Sequence, residues 1–442
     1  MKLSVYVRAN EVAELETVGD FRSTLSYHAG VDPNDFISLT MPVRTEPWIW
    51  DDALHPVFQM NLPEGYLLQV LQERFGPHIG ASPMALLSVI GRNMIGRVQV
   101  APPGASLDAP ATAVDVKALL QGDNAEEAFA ELVRQHAASG VSGVVPKFLD
   151  SQRETAHLGS HKKATLLTHR HLIKGSSRHL PFVSLNEHLC MQVVRRVMPA
   201  ADTAISRDGQ ALVVHRLDVD DNGQRIWGIE DFCVLLGLRP AAKYETTWER
   251  IARAVRDHVN VAKRAEVFRH MATLLLLTYA LRNADCHAKN IALRYTTRDD
   301  IHLAPAYDVI TTVAYPDYAK NPPGISFMGK KTWAPGKHLQ TFITATFGLP
   351  PREQVEILER IGSAMSDMAP LVRAAMQEHP GFTDIGKRML LAWQEGLGGL
   401  HDKKVYAMPD TTADVALTGL SEPKPARKKS QVPGRSELPG KR

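Results

Sequence analysis

One stretch, residues 265 to 312, limits what this chain can fold into more than any other. It opens with AEVFRHMATLLLLTYALRN, an apolar run close to the roughly 20 residues that span a bilayer. The run carries Glu266, Arg269, His270 and Arg282 and lacks a stop-transfer flank, so a buried core helix is expected. It then turns polar at Ala284-Asp285-Cys286-His287-Ala288-Lys289-Asn290. Two β-like runs follow, Ile291–Tyr295 and Ile301–Tyr307, joined by the charged turn Thr296–Asp300. Runs of this length pair readily across a five-residue turn. The predicted hairpin brings Asp308 back beside Asp285.

The pattern D-x-H-x-x-N carries the chemistry. Phosphoryl transfer needs a carboxylate at the attacking hydroxyl, and Mg²⁺ held by an Asn and a second Asp. Asp285 and Asn290 have the five-residue separation of a kinase catalytic loop, and Asp308 closes a strand as a metal-binding Asp does. The histidine two places after the Asp is similar to the lipid-kinase version of the loop. The plain alternative is a helix C-terminus, capped by Asn290 and with His287 and Lys289 complementing the dipole. Capping leaves the returning Asp308 without a reason.

NADCHAKN (283–290) and LAPAYDVITT (303–312) closely resemble the HipA-type serine/threonine kinases, the toxin halves of bacterial toxin–antitoxin pairs. Leu-Pro-Glu-Gly (62–65), Ile-Gly-Arg-Asn (90–93) and Lys243-Tyr244-Glu245 fit the same pattern, so the resemblance covers about residues 1 to 400. It implies an α+β, two-lobed protein-kinase-like fold with a β-rich N-terminal subdomain and a mainly helical large lobe. The expected division is 1–102 for the subdomain, 118–225 for the small lobe, 226–410 for the large lobe and 411–442 for a disordered basic tail.

Composition fits that division. The 442 residues are 44% hydrophobic and 22% charged, with a net charge of +3. Residues 421–442 hold seven Lys/Arg and two Glu, a balance of +5, which leaves the remainder near −2. That excludes a strongly basic body built for direct nucleic-acid binding. Cys190, Cys233 and Cys286 are too few and too scattered for a disulfide framework or a zinc site, and suit a reducing cytosol. The start MKLSVYVRANEVAEL has no apolar export region, so a cytoplasmic protein without a membrane partner is expected.

Along the chain, residues 3–8 and 96–102 read as strands, and 82–91 and 125–138 as helices. Residues 103–117 read as a linker. The glycines and small residues of Ser139–Phe148 allow close approach to phosphates, but the pattern alone favours an ordinary hairpin turn. The resemblance assigns Gly143 and Lys147 to the ends of a loop over ATP, with Val145-Pro146 replacing the relatives' Gln-Glu. It also implies an autophosphorylation serine nearby, with which neither Ser139 nor Ser142 aligns. Thr168–Lys174 is a predicted strand whose terminal Lys174 is the candidate for the phosphate-binding lysine. Ser184 to Glu187 reads as a capping box, and Glu187 also as the partner of that lysine. Ala211–Asp218 reads as the hinge strand, with His215 and Leu217 as adenine contacts. Glu230–Cys233 is expected to begin a helix.

The resulting expectation is an ATP- and Mg²⁺-dependent protein serine/threonine kinase. Asp285 acts on the hydroxyl, Lys289 on transition-state charge, and Asn290 and Asp308 on the metal. Lys174 and Tyr307 join the nucleotide contacts. The resemblance further implies growth inhibition through phosphorylation of a translation factor such as an aminoacyl-tRNA synthetase. It also implies a helix-turn-helix antitoxin through which alone the chain meets DNA. Two rivals stay open: a metal-dependent phosphohydrolase, and a catalytically silent corepressor.

Overall fold

The computed structural model describes residues 1–19, 22–63, 68, 70–73, 77, 80, 82–107, 114–140, 164–334 and 336–400. Three antiparallel sheets and a set of helices organise them. The first sheet has the order β4-β3-β2-β1-β5, from β1 (Lys2–Val7), β2 (Asn10–Val18), β3 (Arg22–Tyr27), β4 (Trp48–Trp50) and β5 (Val98–Ala101). Its register sets Leu3 opposite Leu15 and Leu15 opposite Leu25, so apolar side chains stack across neighbouring strands. Helix α1 (Pro83–Ile90) precedes β5, with the Ser82 hydroxyl accepting from the Ala85 amide at 3.2 Å and Pro83 in the first turn.

The second sheet, β6-β7-β9-β8, joins β6 (Ala164–Leu167), β7 (His171–Gly175), β8 (Thr203–Ile205) and β9 (Ala211–His215). Alternation decides its two faces. Ala211, Val213 and Ile173 pack with Phe129 of α2 (Glu126–Gly140), while Leu172, Leu212 and Val214 belong to the main core with α3 (Val183–Arg195). Lys174, two residues after Leu172 and opposite Leu212, shares the α3 face. Gly175 completes the strand where a side chain is impossible, because a Cβ there would lie 2.5 Å from the Phe129 ring.

The third sheet, β10-β11-β12, contains the predicted hairpin: β10 (Gly228–Asp231), β11 (Ala292–Tyr295) and β12 (Ile301–Leu303). The second hairpin strand ends earlier than its sequence pattern predicts. Pro305 has no N–H to extend the ladder, and the chain crosses to the segment before β8, where Ala201 and Ala306 amides reach Ala306 and Pro199 carbonyls at 2.8 and 2.9 Å. Glu230 and Asp231 lie in β10, and the helix expected from Glu230 is the single turn α4 (Phe232–Leu235), capped by the Asp231 carboxylate at 3.0 Å from the Val234 amide.

The apolar run forms α6 (Val261–Ala280), following α5 (Trp248–His258). Residues 271–281 of this run are buried, packed by α7 (Pro351–Glu378) and α8 (Thr383–Leu400). Among the described residues no helix is long and apolar enough to cross a membrane.

Two buried polar knots tie the first sheet to the rest. Arg216 pairs with Asp218 (Nε to Oδ1 2.9 Å) and donates to Asn93 Oδ1, Met94 O and Thr168 O at 2.8, 2.7 and 3.0 Å, while Asp218 accepts the Gly96 amide at 2.8 Å. Glu230 accepts from the Ser38 hydroxyl at 2.6 Å, the Leu39 amide at 2.7 Å and the Tyr295 hydroxyl.

One buried histidine, His55, and one half-buried, His188, make stability depend on pH. Burial holds His55 and His188 down to about 4, from an ordinary value of 6.5. Their rings stay neutral in the fold, while the unfolded chain binds protons below pH 6.5. Their contribution is therefore complete above pH 6.5 and is lost progressively as pH falls toward 4. Urea midpoints should drop through that window, with a shallower slope in His188→Gln; equal slopes in the two proteins would contradict the assignment.

Candidate active site

The end of α6 is closed before the polar loop begins. Arg282 takes a left-handed conformation (φ 55°), the Asn283 amide reaches the Thr278 carbonyl at 2.9 Å, and the Arg282 amide reaches Tyr279 at 3.3 Å. These are the paired bonds of a Schellman terminus. His287, Lys289 and Asn290 lie beyond it, so helix capping does not explain them.

The loop is braced by its own side chains. Asn283 Oδ1 accepts the Asp285 amide at 3.0 Å, and Asn290 Nδ2 donates to the Asp285 carbonyl at 2.9 Å. The Tyr307 hydroxyl donates to the Lys289 carbonyl at 2.9 Å, which joins the hairpin exit to the loop. Gly324 lets the 322–325 segment pass against the loop backbone, since a Cβ there would sit 2.4 Å from the Cys286 carbonyl oxygen. His287 is buried and lies 3.8 Å from Asp285 Oδ1; burial holds its imidazole below the usual range against the opposing pull of that carboxylate.

Across the cleft, Lys174 Nζ lies 2.6 Å from Glu187 Oε1 and 2.8 Å from Asp308 Oδ1. Glu187 does not complete a capping box: Phe182 occupies the N-cap position, and the Ser184 hydroxyl donates to the Lys174 carbonyl at 3.1 Å. Asp308 is itself left-handed (φ 55°), a conformation that Asp tolerates better than most residues and that collects at functional sites.

One cleft is lined by Lys174, His215, Leu217, Asp285, Lys289, Asn290, Tyr307 and Asp308 together. Gly143 and Lys147 lie outside the described residues. His215 uses its amide for the Asp202 carbonyl at 2.9 Å and sets its ring edge-on to His171, with centroids 5.5 Å apart. Asp231, which sequence reasoning left without a role, also lines the cleft; burial pushes its carboxyl up to about 7 despite the Val234 amide and the nearby Lys289 charge. Tyr244 was legible only as part of a family motif, yet its hydroxyl donates to Asp285 Oδ1.

The donor set fits a hard divalent cation. Asp285, Asn290 and Asp308 offer side-chain oxygens to the same cleft, and Mg²⁺ prefers one or two carboxylates completed by phosphate oxygens and water. The Lys174 ammonium on Asp308 shows that this carboxylate already receives a cation.

A small sheet and a helical body meeting at a cleft, with a lysine–glutamate pair opposite an Asp/Asn loop, define a two-lobed, kinase-like protein. Residues 3–101 match the HipA N-terminal domain and residues 139–369 the HipA-like C-terminal domain. The chain belongs to the HipA family. The fold is shared with HipA of Shewanella oneidensis, solved with HipB and its operator DNA, at a TM-score of 0.63 and 18% identity over 92% of this chain and 100% of that one. Two relatives from Sinorhizobium fredii carry the names "Putative kinase Y4dM" and "Putative kinase Y4mE". The first is 28% identical over 280 residues, 59% of this chain and 63% of the relative; the second is 27% identical over 304 residues, 64% and 69%. The chain thus covers less than two thirds of the first relative's length.

Proposed function

We propose that this chain transfers the γ-phosphoryl group of ATP, with Mg²⁺, to a serine or threonine hydroxyl of another protein. The observation that carries the reading is Lys174, held between Glu187 and Asp308 opposite Asp285 and Asn290. A kinase needs such an ion pair to aim the lysine at the α- and β-phosphates. Lys174 steadies phosphates, Asp285 orients the acceptor hydroxyl and takes up its proton, and Lys289 faces the transferring group. Asn290 and Asp308 would hold magnesium, which when bound neutralises charge on the phosphate oxygens. Gly143 and Lys147 are proposed to close over the nucleotide, and His215, Leu217 and Tyr307 to line its seat.

Family membership supports a further role as the toxin half of a toxin–antitoxin pair. The partner would be a HipB-like helix-turn-helix antitoxin, and DNA would be met through that complex. The family resemblance implies a translation factor such as an aminoacyl-tRNA synthetase as the class of target. A two-metal phosphohydrolase is less well supported, because the described residues contain no cluster of three or more His, Cys, Asp or Glu side chains that could hold a metal ion.

The test is incubation with labelled ATP and Mg²⁺ together with a bacterial extract. Label should pass to protein, and should not in an Asp285→Asn variant. Stable antitoxin binding with no transfer to any protein would leave the corepressor reading instead.

Asp308→Asn tests the metal site. Asn keeps the left-handed backbone and the shape but loses the charge. Ligand at about 100 times its Kd stabilises a protein by roughly 2.7 kcal/mol. Mg²⁺-ATP should give a clear thermal shift in the parent chain and little or none in Asp308→Asn; equal shifts would remove Asp308 from the metal site.

A further inference from the structure

The main chain of Asp285 is positioned without help from Tyr244. Its amide is held by Asn283 at 3.0 Å and its carbonyl by Asn290 at 2.9 Å, both within the loop. The Tyr244 hydroxyl is nevertheless donated to Asp285 Oδ1, the bond an acceptor serine or threonine must make. The main chain of this tyrosine is pinned: the Ala288 amide reaches the Lys243 carbonyl at 3.1 Å, and the Glu245 amide reaches Ala242 at 2.8 Å. Its side chain is not enclosed. The ring stands edge-on to His287 with centroids 4.8 Å apart, has the Lys243 and Lys331 ammoniums 5.6 and 5.4 Å from its centre, and leaves 37% of the residue open to solvent. Burial, with the Asp285 and Asp308 charges, holds the phenol above its ordinary range, so it remains a donor.

We infer that Tyr244 occupies the acceptor-hydroxyl seat of Asp285 in the resting chain and yields it only to a docked protein acceptor, which keeps water from the transferable phosphoryl group. This rests on the kinase reading above. A serine or threonine presented by a bound protein displaces the phenol with the binding energy of its surrounding segment. A lone water has no such energy. Tyr244 is thus a positioning residue that discriminates protein hydroxyls from solvent.

The variant Tyr244→Phe keeps the ring and removes only the hydroxyl. With the seat open, a water oxygen bonds to the γ-phosphorus as the β–γ bridging P–O bond breaks. Its proton passes to Asp285, giving ADP and inorganic phosphate. The measurement is ADP release by the full chain with Mg²⁺-ATP and no protein acceptor, alongside the Mg²⁺-ATP thermal shift. Loss of a hydrogen bond to a charged group should raise hydrolysis about tenfold with the shift unchanged. The gain should vanish in Tyr244→Phe/Asp285→Asn. A merely supporting tyrosine predicts equal or slower hydrolysis, and that result with an unchanged shift overturns the inference while leaving the kinase reading intact. Phosphotyrosine at position 244 after incubation with Mg²⁺-ATP also overturns it, because Tyr244 would then be an acceptor. If Mg²⁺-ATP fails to stabilise even the parent chain, the kinase reading falls and this inference with it.

Discussion

Asp285→Asn should lower phosphoryl transfer about a thousandfold, within the range set by removing a positioned acid–base group. The substitution keeps an oxygen for the Tyr244 hydroxyl and leaves the backbone bonds from Asn283 and Asn290 unchanged. What disappears is the negative charge that orients the acceptor and receives its proton. Folding and the Mg²⁺-ATP thermal shift should therefore stay near those of the parent chain. Transfer is measured with labelled ATP, in single turnover to separate chemistry from product release. Parent-like labelling would move the base elsewhere, and Asp231, whose carboxyl is held up to about 7 in the same cleft, would be the next residue to replace.

The site was legible in sequence to different depths. That Asp285, Asn290 and Asp308 line one cleft is legible because the approach is local: one loop and one hairpin bring them together, and both are written in consecutive residues. Lys174 reads as a strand end, and its partner Glu187 reads locally as a capping-box residue as well as a lysine partner. Ser184-Leu185-Asn186-Glu187 does satisfy the capping pattern. The helix begins two residues earlier than that pattern requires, at Val183 after the left-handed Phe182, and the glutamate is released toward Lys174. Long-range approach decides such a choice, and local propensity does not contain it. Tyr244 is the stronger case. It is 41 residues from Asp285, and only the packing of the turn before α5 against the loop makes them neighbours. In the fold, the strands and the apolar helix followed from alternation and length, while the shortened β12 followed from one residue, Pro305. The two buried knots were not foreseen. A buried arginine is read from sequence as a surface residue until the structure supplies its acceptors.

Arg216 supplies the second large effect. Its side chain and that of Asp218 are both fully buried, and their pair joins the β9 exit to Asn93, Met94 and Gly96. Burial makes the two charges interdependent. Removing one partner leaves the other without compensation, a cost of about 3–5 kcal/mol. Asp218→Ala should therefore lower the thermal midpoint strongly, and should loosen the β9 exit that positions His215 and Leu217 at the cleft. ATP affinity should fall with it. Replacing both residues, as Arg216→Met with Asp218→Leu, removes the uncompensated charge and should recover part of the loss. Recovery stays incomplete because Asn93, Met94 and Thr168 lose the donors they accept from Arg216 and Gly96 loses its acceptor on Asp218. Denaturation curves for the parent, the single variant and the double variant decide between two accounts. If the double variant is no better than Asp218→Ala, the knot acts through its hydrogen bonds. If it returns most of the stability, the penalty in the single variant came from the stranded guanidinium.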